Sequence, residues 1–265
     1  MEVKESPIKL EKNREKHYQF LIDKVNKIYD EVENGSEKKK ELIEEFKKHN
    51  EIVLSYVEEL TKQENITEEE LEIINIAAIF HDSSKLGIKT EEGKIKKVPL
   101  VKHHIESAKI AEKILKELEE DPKIIDGVKD AILCHMGPIP GFMEEQKEKW
   151  NKEYSNDQVQ FLRPEKITAK ILYDADMLTL IRQLKKIIVI RQNNAIFFEE
   201  DQKIANERRI SIEEARLNSA LQNAKQALNS LYTKSAKKIA KELLNKSEQI
   251  IREELGLQKN LRKVT

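Results

Sequence analysis

The stretch Leu71-Glu72-Ile73-Ile74-Asn75-Ile76-Ala77-Ala78-Ile79-Phe80-His81-Asp82 decides how the rest of this chain is read. It is apolar enough to be a buried helix, and that helix delivers an imidazole and a carboxylate side by side at its end. In a dry interior such a pair is costly unless hydrogen bonds or a cation satisfy it. The other helices matter for what they can bring to that point.

Composition sets the class. Among 265 residues there are only 7 Gly and 6 Pro, while 37% are charged. Turn-makers are too few for a many-stranded sheet, and Lys and Glu are plentiful for exposed helix faces, so an all-α fold is expected. The 48 basic and 49 acidic residues leave a net charge of -1. No global field gathers nucleic acid or an anionic membrane, which argues against both as partners. Cys134 is the only cysteine, so no internal disulfide forms and a cytoplasmic protein is expected. The longest apolar run, Ile73 to Phe80, contains Asn75 and is far below the roughly 20 residues of a membrane span. No signal peptide is read behind Met1, where an apolar core is missing.

Residues 8–33 have helical periodicity that stops at Asn34-Gly35, and Ser36 suits the cap of the next helix. There Leu42, Phe46, His49, Val53, Tyr56 and Leu60 recur at steps of three or four, which puts His49 on the buried stripe. Thr67-Glu68-Glu69-Glu70 is a capping box opening the helix of Leu71, Ile74, Ala78 and His81. After Asp82 the chain loosens through Gly87, Gly93 and Pro99 into an irregular connection, beside which Lys94, Lys96, Lys97 and Lys102 read as solvated charges. A helix from about Leu100 to Glu119 offers His103 or His104, and periodicity does not choose between them. Asp121-Pro122 starts another, with Ile124, Val128, Ala131 and His135 on one stripe, and Gly137-Pro138 stops it.

Residues 136–163 are irregular, with Phe142, Trp150, Tyr154 and Phe161 readable as a lid or as simple packing. A helix after Pro164 carries Asp174 and Asp176 on different faces, and spacing leaves both open. Beyond Asn193-Asn194 come a segment to about Arg209 and, capped by Ser211, one long run through Leu217, Leu221, Ala224, Leu228, Leu231, Ile239 and Leu243. Its stripe is close to a 3.5-residue repeat, so it either covers the core or pairs with a second copy of the chain. Lys259 to Thr265 reads as a frayed end. The organisation expected is an N-terminal helical segment (1–35), a site-bearing helical core (36–192) and a C-terminal helical extension (193–265).

Five of the six histidines, all but His17, fall between positions 49 and 135. Inward imidazoles and carboxylates on several helices form a nitrogen and oxygen donor set suited to manganese, iron, cobalt, nickel or zinc. Magnesium alone prefers oxygen.

The series resembles the HD-domain metal-dependent phosphohydrolases, whose pattern is a histidine, a His-Asp doublet, further histidines and an aspartate, all on helices. The likeness spans roughly residues 36–192. His49 stands for the first histidine and His81-Asp82 for the doublet. Lys85 takes the place of a lysine that faces substrate phosphate, His103 followed by Ser107-Ala108 is similar to the next histidine with His104 in reserve, and His135 follows. In Asp174-Ala175-Asp176 the family pattern points to Asp176 as the ligand, with Asp174 behind it. Two departures are His135-Met136 where some two-metal members have paired histidines, and Ser83-Ser84 where Ile-Gly is common. The resemblance implies one ion held by His49, His81, Asp82 and Asp176, with His103 and His135 binding phosphate or moving protons. A second ion would make those two histidines ligands and Asp82 the bridge.

The activity so implied is hydrolysis of a phosphoester or phosphoanhydride bond in a nucleotide-like small molecule. Three other readings compete: an HD-fold di-iron oxygenase using the same six ligands, a regulatory module that holds a nucleotide intact, and a metal-free helical interaction protein.

Overall fold

The computed structural model describes residues 7–32, 37–137, 161–193 and 195–256. Among these the protein is all-α, with ten α-helices and a single two-stranded hairpin. In chain order the elements are α1 (Pro7–Glu31), α2 (Glu37–Thr61), α3 (Glu68–Phe80), the strands β1 (Ile88–Lys89) and β2 (Ile95–Lys96), and a 3-10 turn (Leu100–Lys102) leading into α4 (His103–Glu117). There follow α5 (Pro122–Cys134), α6 (Ile167–Arg182), α7 (Leu184–Asn193), α8 (Ala195–Arg208), α9 (Ile212–Ser230) and α10 (Lys234–Glu254). The Asn34-Gly35 stop, the Ser36 cap, the aromatics Phe142, Trp150 and Tyr154, and the end from Lys259 lie outside the described residues. No described helix is long and apolar enough to cross a membrane. The chain divides into two compact units, Met1–Pro138 with Met143–Ala175, and Ile139–Phe142 with Asp176–Thr265.

The first unit is built around α3. Its start is fixed by the capping box: Thr67 Oγ1 accepts from Glu70 N at 3.2 Å, and Glu70 Oε2 accepts from Thr67 N at 2.7 Å. Beyond that turn Ile73, Ile74 and every residue from Ile76 to Phe80 are buried, because α3 packs against α1, α2, α4 and α5 together. Each Ile or Phe so buried stabilises the fold by about 1.5–3 kcal/mol relative to exposure. The approach of α5 depends on Gly127, where a Cβ would lie 2.5 Å from Ile73 Cδ1. Asp121 starts α5 by accepting from Lys123 N at 2.8 Å.

Three local expectations are corrected in this unit. Leu42 is 41% exposed and Ile43 takes its place in the core, because α2 packs on both α1 and α3 and its buried line shifts by one residue between them. The connection after Asp82 holds the antiparallel hairpin, with Ile88 opposite Lys96 and Lys89 opposite Ile95. Gly87 (φ 116°) and Gly93 (φ 77°) supply its positive-φ positions. The helix expected from Leu100 begins as a 3-10 turn, so His103 is the first residue of α4.

In the second unit α9 packs against α7, α8 and α10. The long run expected there is two helices: α9 ends at Ser230, and Thr233 caps α10 by accepting from Ala236 N at 3.2 Å. A threonine side chain that satisfies the backbone two or three residues on competes with helix continuation, which is why the apolar stripe did not carry through. Leu217, Leu221, Ala224 and Leu231 are buried within this unit, and Leu244 rather than Leu243 belongs to the core. A fully buried carboxylate, Asp201 on α8, receives Arg191 from α7 at 2.7 and 3.2 Å on one oxygen. Arg216 on α9 stands 3.5 Å from the other.

Candidate metal centre

The His-Asp doublet sits where α3 stops, and the turn that follows is tight, with Ser83 N donating to Phe80 O at 3.0 Å and Lys85 N to Asp82 O at 2.9 Å. His81 caps α3 in αR geometry and donates from Nδ1 to Ala78 O at 2.8 Å. His135 does the same at the end of α5, donating from Nδ1 to Ile132 O at 2.6 Å. In each neutral ring the proton is then on Nδ1, and Nε2 carries a lone pair.

Those lone pairs converge. His81 Nε2 lies 3.3 Å from His49 Nε2, and His135 Nε2 lies 3.0 Å from His103 Nε2. Asp82 stands between the two pairs, with Oδ2 3.5 Å from His49 and 3.6 Å from His81, and Oδ1 3.0 Å from His103 and 3.7 Å from His135. The ligand atoms of His49, His81 and Asp176 lie within 4.8 Å of one another, as do those of Asp82, His103 and His135. Helix α6, which carries Asp176, is continuous through that residue.

The six residues singled out in the sequence as ligands thus fall into two neighbouring triads. His81, Asp82, His103 and His135 are each at most 1% exposed, and His49 is only partly so. Asp174 is buried but belongs to neither triad. His104, the reserve, is also buried outside them, with its ring stacked on Phe161 at 6.0 Å and edge-on to His103. Lys85 reaches the same place, with Nζ donating to Asp82 Oδ2 at 2.7 Å while its side chain stays 24% exposed.

Whether a cation fits can be judged from the donors alone. Asp82 Oδ1 is buried and has no well-directed hydrogen bond, although His103 Nε2 is 3.0 Å away. Burial by itself would push the Asp82 pKa up; the Lys85 ammonium and the surrounding imidazoles outweigh it and hold the carboxyl well below its usual range. Burial pushes the His103 pKa down, against the pull of Asp82. Imidazoles gathered round an ionised carboxylate in a dry site are a nitrogen and oxygen donor set, and a divalent ion with that preference suits it.

Two neighbours were not foreseen. Phe46, three residues before His49, lies under Lys85 Nζ at 5.4 Å from the ring centroid. Tyr29 of α1 is fully buried and accepts from Asn50 Nδ2 at 3.3 Å. The i,i+3 spacing from Phe46 to His49 was a usable signal; nothing in the sequence links Tyr29 to Asn50.

A helical core that ends two helices on histidines, with a buried Asp between them, is the kind of inward donor set by which helix bundles hold metal ions. The family model of the HD domain matches residues 46–181, just over half of the chain, and the protein belongs to that family, part of a superfamily of metal-dependent hydrolases. No curated protein and no solved structure matches the chain.

Proposed function

We propose that the protein is a metal-dependent phosphohydrolase acting on a nucleotide-like small phosphate, with one or two ions of manganese, iron, cobalt, nickel or zinc. The observation that carries this reading is Lys85: an ammonium 2.7 Å from the central carboxylate, on a side chain still 24% exposed. A phosphoryl group is the substrate moiety that profits from a cation pair of this kind.

His49, His81, Asp82 and Asp176 would hold one ion, with His103 and His135 completing a second site against Asp82. A divalent ion there supplies Lewis acidity, lowering the pKa of water and offsetting phosphoryl charge. Lys85 adds a further positive charge to the phosphoryl oxygens once it turns from Asp82, and its partial exposure leaves it room to do so. With a single ion bound, His103, whose pKa burial lowers, would be available to accept a proton.

The two triads also favour a second reading, oxygenation by a pair of irons. A screen of nucleotides and generic phosphodiesters with each metal in turn, identifying products as well as rates, separates the readings. Phosphate or phosphomonoester release that is lost in Lys85→Met supports hydrolysis. Oxygen consumption without phosphate release, or a nucleotide recovered intact, refutes it.

A further inference from the structure

The net charge of -1 conceals a division of charge between the two units. Residues 176–265 contain 18 Lys and Arg against 11 Asp and Glu, whereas residues 1–175 contain 30 against 38. The units therefore carry +7 and -8.

Four of these cations stand together at the start of α10, although the charges of the whole helix sum to only +2. Lys234, Lys237, Lys238 and Lys241 are all exposed and, with Glu242, line a cleft of about 460 Å³. Elsewhere lysines hold carboxylates, as Lys47, Lys62, Lys109, Lys116 and Lys185 do; among the described residues these four do not. They occupy the first two turns of a helix with no acidic residue in its first turn, where the positive end of the helix dipole makes cations unfavourable. A second cleft, of about 360 Å³, is lined by Arg252 and Glu248 of α10, Lys225 of α9 and Arg208 of α8. The four lysines lie within about 10 Å of helix at a rise of 1.5 Å per residue, while Arg252 further along is paired with Glu248 at 2.8 Å.

We propose that this outer face of α10 binds the phosphate backbone of a nucleic acid. Four lysines within about 10 Å of helix exceed what one small anion engages and suit two or more successive phosphates of a chain. Lipid is the poorer match, because an interfacial helix needs its apolar face, and here Ala236, Ile239, Ala240, Leu244 and Ile251 are buried in the fold. The proposal does not depend on the hydrolase reading, since it concerns other residues and a binding measurement.

The test uses the full chain and fluorescein-labelled oligouridylate and oligothymidylate of about 20 nucleotides, with anisotropy followed across salt concentrations. Four neutralised phosphates on a single strand contribute about 3 to the negative log–log salt slope. The variant K234E/K237E/K238E/K241E is expected to flatten the slope by that amount and to weaken binding at low salt by about 100-fold or more. Acidic residues in the first turns favour a helix, so unchanged far-UV circular dichroism is expected in the variant. As a control, K94E/K96E/K97E reverses three exposed hairpin lysines in the other unit and should leave affinity within about twofold. The proposal is overturned if the α10 variant binds like the parent, if the hairpin variant loses as much, or if the parent binds phosphatidylserine vesicles and neither oligonucleotide.

Discussion

Asp82→Asn separates the donor set from the fold. The side chain keeps its shape but loses the charge that five cationic or imidazole neighbours face. In metal-free protein the cost should be modest, about 1–3 kcal/mol, because the Lys85 ammonium is partly exposed and can turn to water. With metal the difference becomes larger and has a calculable size. At a hundred times Kd a bound ion stabilises the native state by about 2.7 kcal/mol. A hundredfold loss of affinity, which even an outer partner of a ligand can cause, turns that concentration into one Kd and leaves about 0.4 kcal/mol. At roughly 2–4 °C per kcal/mol for a chain of this size, the parent should gain about 5–11 °C in Tm and the variant about 1–2 °C. Chelated, dialysed protein is melted with and without each of manganese, iron, cobalt, nickel and zinc. A parent Tm that no metal moves, or an equal rise in Asp82→Asn, would refute the assignment of Asp82 to a metal centre.

Gly127→Ala should destabilise the protein by about 1–3 kcal/mol in urea denaturation, since its Cβ would lie 2.5 Å from Ile73 Cδ1; Ile73→Val in the same chain should recover part of the loss. Burial raises the Tyr18 pKa from 10 to about 12. A raised acid gives stability that is whole below the unfolded value and lost as pH climbs through the folded one, so parent stability should fall more steeply than that of Tyr18→Phe between pH 10 and 12. Cys134 is 4% exposed and burial lifts its thiol pKa to about 11. Native protein should therefore resist a thiol-directed disulfide reagent at pH 8 and react fully in denaturant; rapid native labelling would show that the end of α5 opens.

What could be read from the sequence depended on whether one segment decided the matter. The box at Thr67, the Asp121-Pro122 start and the buried stripe of α5 are local devices, and each was legible. The register at Leu42 was not, because a second helix, α1, sets which side of α2 is covered there. The break at Thr233 was missed because a helical stripe says nothing about a side chain that prefers to cap. His103 and His104 could not be separated by spacing, since both are buried; they differ in that His103 opens α4 and meets Asp82, while His104 stacks on Phe161. The lysine cluster at the start of α10 escaped notice for a simpler reason: a whole-chain sum cancels units of opposite sign.

The convergence at Asp82 follows from a device used twice. The last carbonyls of a helix have no intrahelical donor. In α3 and again in α5 the histidine just past the helix satisfies the carbonyl three residues earlier through its own Nδ1. That bond fixes the ring's orientation, so by virtue of the fold alone Nε2 is the nitrogen that each histidine turns toward Asp82. Because α3 and α5 pack together through the gap left by Gly127, the two ends come out side by side, with ring centroids 5.2 Å apart. One side chain thus ends a helix and aims a ring nitrogen at the Asp82 cluster. Aspartate or cysteine at position 81 would offer a ligand atom without a side-chain donor for the Ala78 carbonyl, whereas at position 135 the backbone N–H, 3.3 Å from Ile132 O, would still serve. Loss of the cap should therefore accompany either replacement at position 81.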